Sequence, residues 1–175
     1  MKLEDALTLI RDIPDFPSHG INFYDITPLL AHPEGLSCLV EAFQSFPHDS
    51  DLIAGIEARG FILAAAYSQA TGLGFIPIRK AGKLPHNTYS QNYNLEYGND
   101  ALEIHSDAIL PNARVLVMDD VLATGGTIEA AIELVHRCGG VVDLVIVLLE
   151  LSYLGGRKHL ESLFPKITIR ALKVI

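Results

Sequence analysis

The sequence has few cysteines and no clustered histidines, and both scarcities limit the possible functions. Cys38 and Cys138 are its two cysteines, and they stand far apart and outside any CxxC pair. We therefore expect buried, reduced thiols rather than a disulfide framework. None of the seven histidines has HExxH or HxxxH spacing, which argues against a transition-metal site. The sequence thus assigns no metal directly to protein ligands.

Long hydrophobic runs and basic charge are also lacking. No run approaches the roughly 18 apolar residues of a membrane span, and Lys2, Glu4 and Asp5 interrupt the N-terminus, where a signal peptide would be apolar. The 13 Lys and Arg residues against 21 Asp and Glu give a formal net charge of -8, which disfavours attachment to nucleic acid. We expect a cytoplasmic protein that binds small molecules, without membrane or nucleic-acid partners.

The length and the hydrophobic content together indicate a compact globular protein. The chain has 175 residues, of which 49% are hydrophobic and spread along its length. This is enough to form a core, but the chain is too short for two domains of ordinary size. We therefore predict a single domain over residues 1–175.

Hydrophobic periodicity predicts two strand-helix-strand units. The 141–149 segment is almost continuously apolar, as expected for a parallel strand covered on both faces. Loops at the carboxyl ends of parallel strands converge on a ligand crevice, so we predict a central parallel sheet flanked by helices, with its site at that edge. The predicted strands are 52–56, 75–78, 115–118 and 141–149, the helices 61–70 and 128–137, and the converging loops 57–60, 79–83 and 119–127.

A β-ribbon is predicted between these two units. Residues 87–97 alternate loosely between polar and apolar types, with tyrosines on one side, and Gly98-Asn99-Asp100 offers a turn before 101–105. Because the segment has few core residues, we expect it to project from the sheet.

The strongest chemical signal is the segment VLVMDDVLATGGT at 115–127. Gly125 and Gly126 let backbone N–H groups turn toward a phosphate, and the helix predicted to follow points its positive dipole end at the same place. The carboxylates of Asp119 and Asp120 would repel that phosphate. We therefore expect them to accept hydrogen bonds from sugar hydroxyls or to face a metal-bound water. A phosphate beside a diol indicates a ribose phosphate.

This segment resembles the phosphoribosyl pyrophosphate (PRPP) motif of type I phosphoribosyltransferases, in which two acidic residues precede a Thr-Gly-Gly-Thr loop. Further segments resemble the adenine phosphoribosyltransferases in particular, and together they cover nearly the whole chain. The resemblance implies an α/β fold with a β-ribbon hood over 84–104. We expect this hood to be mobile without ligand, because the segment is polar, projecting and poorly supplied with core residues. It also implies a homodimer. The matching segments are 15–17, 23–28, 57–61, 79–85, 95–98, 102–105, 150–151 and 156–157.

The resemblance assigns a role to each matching residue. Ribose phosphate would bind Asp119, Asp120, Ala123, Thr124, Gly125, Gly126 and Thr127. Pyrophosphate would bind Arg59, Arg79, Lys80 and Lys83. Some residues of the cluster Arg79, Lys80 and Lys83 could reach a partner subunit's site. Glu96, Arg59 and Tyr97 would act in catalysis, and Asn22, Phe23, Tyr24 and Leu151 would hold the base. Mg²⁺ would bind through pyrophosphate, ribose hydroxyls and water rather than through direct protein ligands.

The chain departs from the family pattern at the base site. The family usually has Arg where this chain has Tyr24, and a small aliphatic residue where it has Asn22. The implied activity is transfer of the phosphoribosyl group of PRPP to adenine, giving AMP and pyrophosphate in purine salvage. Two alternatives stay open: a PRPP-binding regulator without transferase activity, and a phosphoribosyltransferase for hypoxanthine, guanine or xanthine.

Overall fold

The computed structural model describes residues 1–95 and 98–175, and the chain divides into two compact units, Met1–Phe46 and Pro47–Ile175. The single domain predicted for 1–175 stays a prediction. The first unit contains three short helices and a two-stranded antiparallel sheet. Its elements are α1 Leu3–Thr8, β1 Arg11–Ile13, β2 Phe23–Asp25, α2 Thr27–Ala31 and α3 Gly35–Gln44.

The second unit is built on a seven-stranded sheet, in which the strands follow the order β5-β6-β4-β3-β7-β8-β9. Five neighbouring strands of this sheet run parallel to one another: β4, β3, β7, β8 and β9. At one edge, β6 pairs antiparallel with β4 and with β5. The predicted α/β fold with a β-ribbon is therefore confirmed. The elements are β3 Leu52–Ile56, α4 Arg59–Thr71, β4 Gly74–Lys80, β5 Thr88–Leu95, β6 Gly98–His105, β7 Arg114–Leu122, α5 Gly126–Arg137, β8 Val141–Glu150, α6 Gly156–Leu163 and β9 Thr168–Val174.

The hydrophobic pattern explains why the central strands lie inside. In β8, residues 144–149 are all buried, because neighbouring layers cover both faces of the parallel strand. Helix α5 buries one apolar face, which includes Ile128, Leu134 and Val135. In the part of the chain that the structure describes, no helix is both long enough and apolar enough to cross a membrane.

Two local predictions were wrong. The polar loop predicted from residue 119 begins later, because β7 continues through both aspartates to Leu122. Val121 and Leu122 pair with Leu149 and Glu150 of β8, so ladder hydrogen bonds extend the strand past the polar side chains. The turn predicted at 98–100 is also wrong. These residues open β6 and pair with residues 93–95 of β5.

Candidate active site

The loop after β7 has the geometry predicted for a phosphate site. Gly125 lies at the N-cap of α5 with φ of 95°, a backbone conformation that favours glycine. Gly126 and Thr127 form the first turn of this helix, where backbone N–H groups lack partners within the helix. We call residues 123–127 the glycine loop. It directs N–H groups and the positive end of the α5 dipole outward from the carboxyl edge of the sheet.

The beginning of α6 packs directly against the glycine loop. A Cβ atom on Gly156 would lie 2.2 Å from the Ala123 carbonyl oxygen and 3.0 Å from the Gly125 nitrogen. Arg157 holds this end of α6 in place, since its Nε and Nη2 donate to the Glu150 carboxylate at 2.8 and 2.5 Å. No local pattern in the sequence predicted this support, although 156–157 was among the segments that carried the family resemblance.

The two aspartates of β7 lie buried beside an arginine from another element. Asp119 is 7% exposed and Asp120 is 5% exposed. Arg59, the first residue of α4, places its Nη2 atom 2.5 Å from Oδ2 of Asp120. The Asp120 backbone N–H donates to Asp119 Oδ1 at 2.8 Å. The fold therefore brings together three predicted site residues from two distant segments.

Burial makes the ionised forms of these two aspartates costly. It raises the pKa of Asp119 well above the usual range, and the charge of neighbouring Asp120 raises it further. Burial likewise raises the pKa of Asp120, although Arg59 opposes this change. A ligand that brings hydroxyl donors or a cation to this place would stabilise the charged carboxylates.

We expect Asp119→Asn to remove part of the pH dependence of stability. Because the folded-state pKa lies above the unfolded one, Asp119 contributes stability at low pH that is lost as the pH rises through the folded pKa. Asparagine cannot ionise, so the free energy of unfolding of the variant relative to wild type should increase between pH 4 and pH 8 by at least about 1 kcal/mol. Urea unfolding at several pH values measures this difference.

The control for Asp119→Asn is Asp143→Asn. Asp143 is a half-exposed carboxylate that pairs with Arg114, and Asp143→Asn should show no such gain. Stability curves that stay parallel for wild type and Asp119→Asn would contradict the argument from burial.

The basic segment, residues 79–83, is anchored by carboxylates that the sequence analysis did not assign. Arg79 donates from Nε and Nη2 to the Glu57 carboxylate at 3.1 and 3.0 Å and from Nη1 to the Lys83 carbonyl at 3.1 Å. This pairing lowers the pKa of Glu57. Glu103 of β6 accepts from the Gly82 N–H at 2.9 Å. Arg79 thus shapes the segment, and its binding of pyrophosphate stays a prediction.

The β-ribbon contributes a tyrosine that the sequence analysis did not assign to the site. Burial raises the pKa of Tyr93 to about 12, so its hydroxyl keeps its proton at neutral pH. Tyr93 lines a cavity of about 320 Å³ that also includes part of the glycine loop. Glu96 and Tyr97, predicted to act in catalysis, lie outside the described residues. The other residues lining this cavity are Gln91, Asn92, Thr124, Gly126, Glu129, Ala130 and His159.

The residues predicted to hold a base belong to both compact units. In the first unit, Phe23 and Tyr24 lie on β2, and the Asn22 side-chain amide donates to the Tyr24 hydroxyl at 3.2 Å. The Phe23 ring packs edge-on against Phe16, with centroids 5.2 Å apart. In the second unit, Leu151 is buried, and its N–H donates to the Leu122 carbonyl at 2.9 Å. The joint role of these residues stays a prediction.

Comparison with known proteins agrees with this geometry. A family model for the phosphoribosyl transferase domain matches residues 32–167. A Streptomyces clavuligerus adenine phosphoribosyltransferase is 55% identical over 174 residues, covering 98% of this chain and 95% of the relative.

Solved structures of adenine phosphoribosyltransferases share the fold. The crystal structure from Thermoanaerobacter pseudethanolicus is 46% identical, with a TM-score of 0.94 over 99% of this chain and 100% of that one. The Saccharomyces cerevisiae enzyme, complexed with adenine and an imino-altritol bisphosphate, is 35% identical, with a TM-score of 0.85 over 96% and 95% of the two chains. The resemblance read from the sequence is thereby confirmed, and the chain belongs to the phosphoribosyltransferase family, among the adenine phosphoribosyltransferases.

Proposed function

We propose that this protein transfers the 5-phosphoribosyl group of PRPP to adenine, giving AMP and pyrophosphate in purine salvage. The observation that carries the proposal is that three features follow one another along the chain. They are a buried carboxylate pair on β7, a glycine loop with positive φ at Gly125, and the N-terminus of α5. The yeast relative binds adenine together with a bisphosphate, which agrees with a site for a base beside a doubly phosphorylated ligand.

The two ends of PRPP bind to different segments. The glycine loop takes the 5-phosphate through its N–H groups and the hydroxyls of Thr124 and Thr127, and Asp119 and Asp120 accept hydrogen bonds from the ribose hydroxyls. Arg59 and the basic segment, with Arg79, Lys80 and Lys83, take the pyrophosphate, since guanidinium and ammonium groups suit phosphate oxygens.

Catalysis consists mainly of positioning and charge stabilisation. Adenine N9 forms a bond to ribose C1 as the bond from C1 to the pyrophosphate oxygen breaks, and N9 then loses its proton. Arg59 and the basic segment stabilise the charge that develops on the leaving pyrophosphate. By resemblance, Glu96 steadies the positive charge on the ribose or takes part in the proton transfer, and Tyr97 excludes water.

Mg²⁺ is the cofactor that fits this set of donors. Among the described residues, no group of three or more histidine, cysteine or carboxylate side chains could hold a metal ion, and Mg²⁺ needs few protein ligands when it binds through phosphates and water. Asp119 and Asp120 would face its waters, and bound Mg²⁺ would neutralise pyrophosphate charge. We also propose a cytoplasmic homodimer, and the mobility predicted for the hood over 84–104 stays a prediction.

The direct test is formation of AMP and pyrophosphate from adenine, PRPP and Mg²⁺. We expect kcat/KM for adenine to exceed that for hypoxanthine by at least about ten-fold. Adenine N1 accepts and its amino group donates, whereas hypoxanthine reverses both and leaves buried partners mismatched. Backbone groups near Asn22 would provide this selection whatever the side chains are. PRPP binding without turnover of any purine would favour a regulator, and equal use of both bases would contradict the proposed selectivity.

Tyr24 tests where the base lies. Its ring can stack on adenine in place of the family's arginine, and the Asn22 amide holds its hydroxyl. We therefore expect Tyr24→Ala to raise KM for adenine by about five-fold and KM for PRPP by less. The matched control is Tyr24→Phe, which keeps the ring and should stay near wild type. A defect of Tyr24→Ala seen only with PRPP would show that the base binds elsewhere.

A further inference from the structure

A contact between His159 of α6 and Glu129 of α5 has no role in the proposed reaction. Nε2 of His159 donates to Oε2 of Glu129 at 2.6 Å, because a carboxylate only accepts. Glu129 lies in the first turn of α5, and His159 lies at the end of the first turn of α6. The hydrogen bond therefore joins the beginnings of two helices.

The backbone brings both side chains to the glycine loop. The Glu129 N–H donates to the Gly125 carbonyl at 2.9 Å, and the His159 N–H donates to the Gly155 carbonyl at 3.0 Å. Each residue thus lies one helical turn after the place where α6 packs on the loop. The imidazole lies against the loop itself, since a Cβ atom on Gly125 would be 3.2 Å from Cδ2 of His159. Glu129 therefore holds a ring that lies next to Gly125.

Both side chains also line the cavity of about 320 Å³ beside the loop. Thr124 and Gly126 of the glycine loop line the same cavity. In the proposed function these loop residues bind the 5-phosphate. The hydrogen bond between His159 and Glu129 is therefore made beside the phosphate position.

The glycine loop needs support from outside, because its backbone is unusually free. Glycine loses more conformational freedom on folding than any other residue, and two glycines stand together where N–H groups must face the phosphate. Gly156 restricts the loop at Ala123, and His159 adds a contact at Gly125. A loop that is ordered in advance does not have to be ordered when the ligand binds.

We propose that His159 is a positioning residue that, held by Glu129, fixes Gly125 and the loop N–H groups for the 5-phosphate of the substrate. This inference rests on the proposed function. The Nε2 proton of His159 stays in the hydrogen bond to Glu129, so the imidazole acts through Gly125 rather than on the reacting atoms. Loss of the ring should weaken binding at the ribose-phosphate end of the substrate and leave the pyrophosphate end nearly unchanged.

His159→Ala tests the proposal, because it removes the ring and keeps the backbone of α6. Titration calorimetry on the full-length protein with Mg²⁺ would measure the binding of ribose 5-phosphate and of pyrophosphate separately. We expect the Kd for ribose 5-phosphate to rise about five-fold, since the ligand must then order the loop, and the Kd for pyrophosphate to change by less than about two-fold. An unchanged Kd for ribose 5-phosphate, or equal losses for both ligands, would overturn the inference.

Two further variants separate positioning from packing. His136→Ala removes another imidazole between the ends of the same two helices, where the ring packs against Phe164 with centroids 6.1 Å apart, and it should leave both Kd values within about two-fold. His159→Gln keeps a donor for Glu129 and much of the side-chain volume, so it should bring the Kd for ribose 5-phosphate back to within about two-fold of wild type. A loss in His136→Ala as large as in His159→Ala, or no recovery with glutamine, would contradict a positioning role.

Glu129→Ala tests whether the hydrogen bond holds the ring. Removal of a carboxylate near a phosphate would by charge alone tighten binding, whereas a ring that is no longer held should raise the Kd for ribose 5-phosphate about three-fold. The double variant His159→Ala/Glu129→Ala should bind no more weakly than His159→Ala, because both changes act through one contact. Tighter binding by Glu129→Ala, or effects that multiply, would overturn the proposal.

The proposed function is tested separately by the wild-type protein. A wild type that forms AMP, together with a His159→Ala variant that binds ribose 5-phosphate normally, overturns the role of His159 and leaves the function intact. A wild type that makes no AMP, together with a selective loss of ribose 5-phosphate binding in His159→Ala, overturns the function and supports the role of His159.

Discussion

Gly125→Val is expected to lower kcat/KM for PRPP by about a hundred-fold or more. The backbone at Gly125 has φ of 95°, and a Cβ atom there would lie 3.1 Å from the Gly156 carbonyl oxygen and 3.2 Å from Cδ2 of His159. Valine therefore brings both an unfavourable backbone conformation and a contact that displaces the loop. A displacement of about 1 Å in a site that positions its substrate can cost a hundred-fold in rate. Steady-state kinetics with varied PRPP measures this loss.

Gly72→Val is the matched control for this change. Gly72 also has positive φ, 77°, but no atom lies within 4 Å of where its Cβ would be. It ends α4 and belongs to no predicted binding segment. Both variants should lose similar stability from backbone strain, whereas only Gly125→Val should lose PRPP use. Similar kinetic losses in the two variants would mean that the effect is global and that the glycine loop has no special role.

Arg59→Met should be the other severe change. It removes a cation that lies 2.5 Å from Asp120 and leaves two adjacent buried carboxylates. Removing one partner of a fully buried ion pair costs about 3 kcal/mol or more, but the Arg59 side chain is 29% exposed, so we expect a smaller destabilisation of about 2 kcal/mol, measured by denaturant unfolding. Because Arg59 is also proposed to bind the leaving pyrophosphate, kcat/KM for PRPP should fall by about a hundred-fold.

A double variant separates the two effects of Arg59. Arg59→Met combined with Asp120→Asn removes both charges, so much of the lost stability should return while the activity stays low. Arg114→Met is the control for stability, since Arg114 starts β7, the strand that carries Asp120, and its partners are the exposed Asp49 and the half-exposed Asp143. It should cost less than about 1 kcal/mol. If Arg59→Met loses as little stability as Arg114→Met, burial does not strengthen the ion pair between Arg59 and Asp120.

The sequence predicted those parts of the fold whose signals are local. An apolar run, two glycines and an amphipathic repeat follow one another within 115–137, and the strand, loop and helix appear there in the predicted order. The predicted ends of the strands and helices were less accurate. Asp119 and Asp120 have loop-like side chains, but pairing with β8 keeps their backbone in the strand, and no property of the two residues themselves reveals that partner.

The parts of the site that were missed depend on contacts between distant segments. Glu57 holds Arg79, and Glu103 holds Gly82, yet each glutamate taken alone has the pattern of a solvated side chain. Tyr93 belongs to an alternating ribbon, and its place beside Thr124 and Gly126 in one cavity depends on how that ribbon packs on α5. Sequence reasoning therefore found the residues that carry the family motif and missed the residues that hold them.

The contact of Gly156 with Ala123 shows that the glycine loop is not a self-contained module. A designer who grafted residues 115–137 onto another parallel sheet would transplant Gly125 without the surface on which it rests. The Ala123 carbonyl would then face whatever side chain the host placed there, at a point where even one methyl group does not fit. A successful transplant would have to include the turn that begins α6, with Arg157 and its Glu150 anchor.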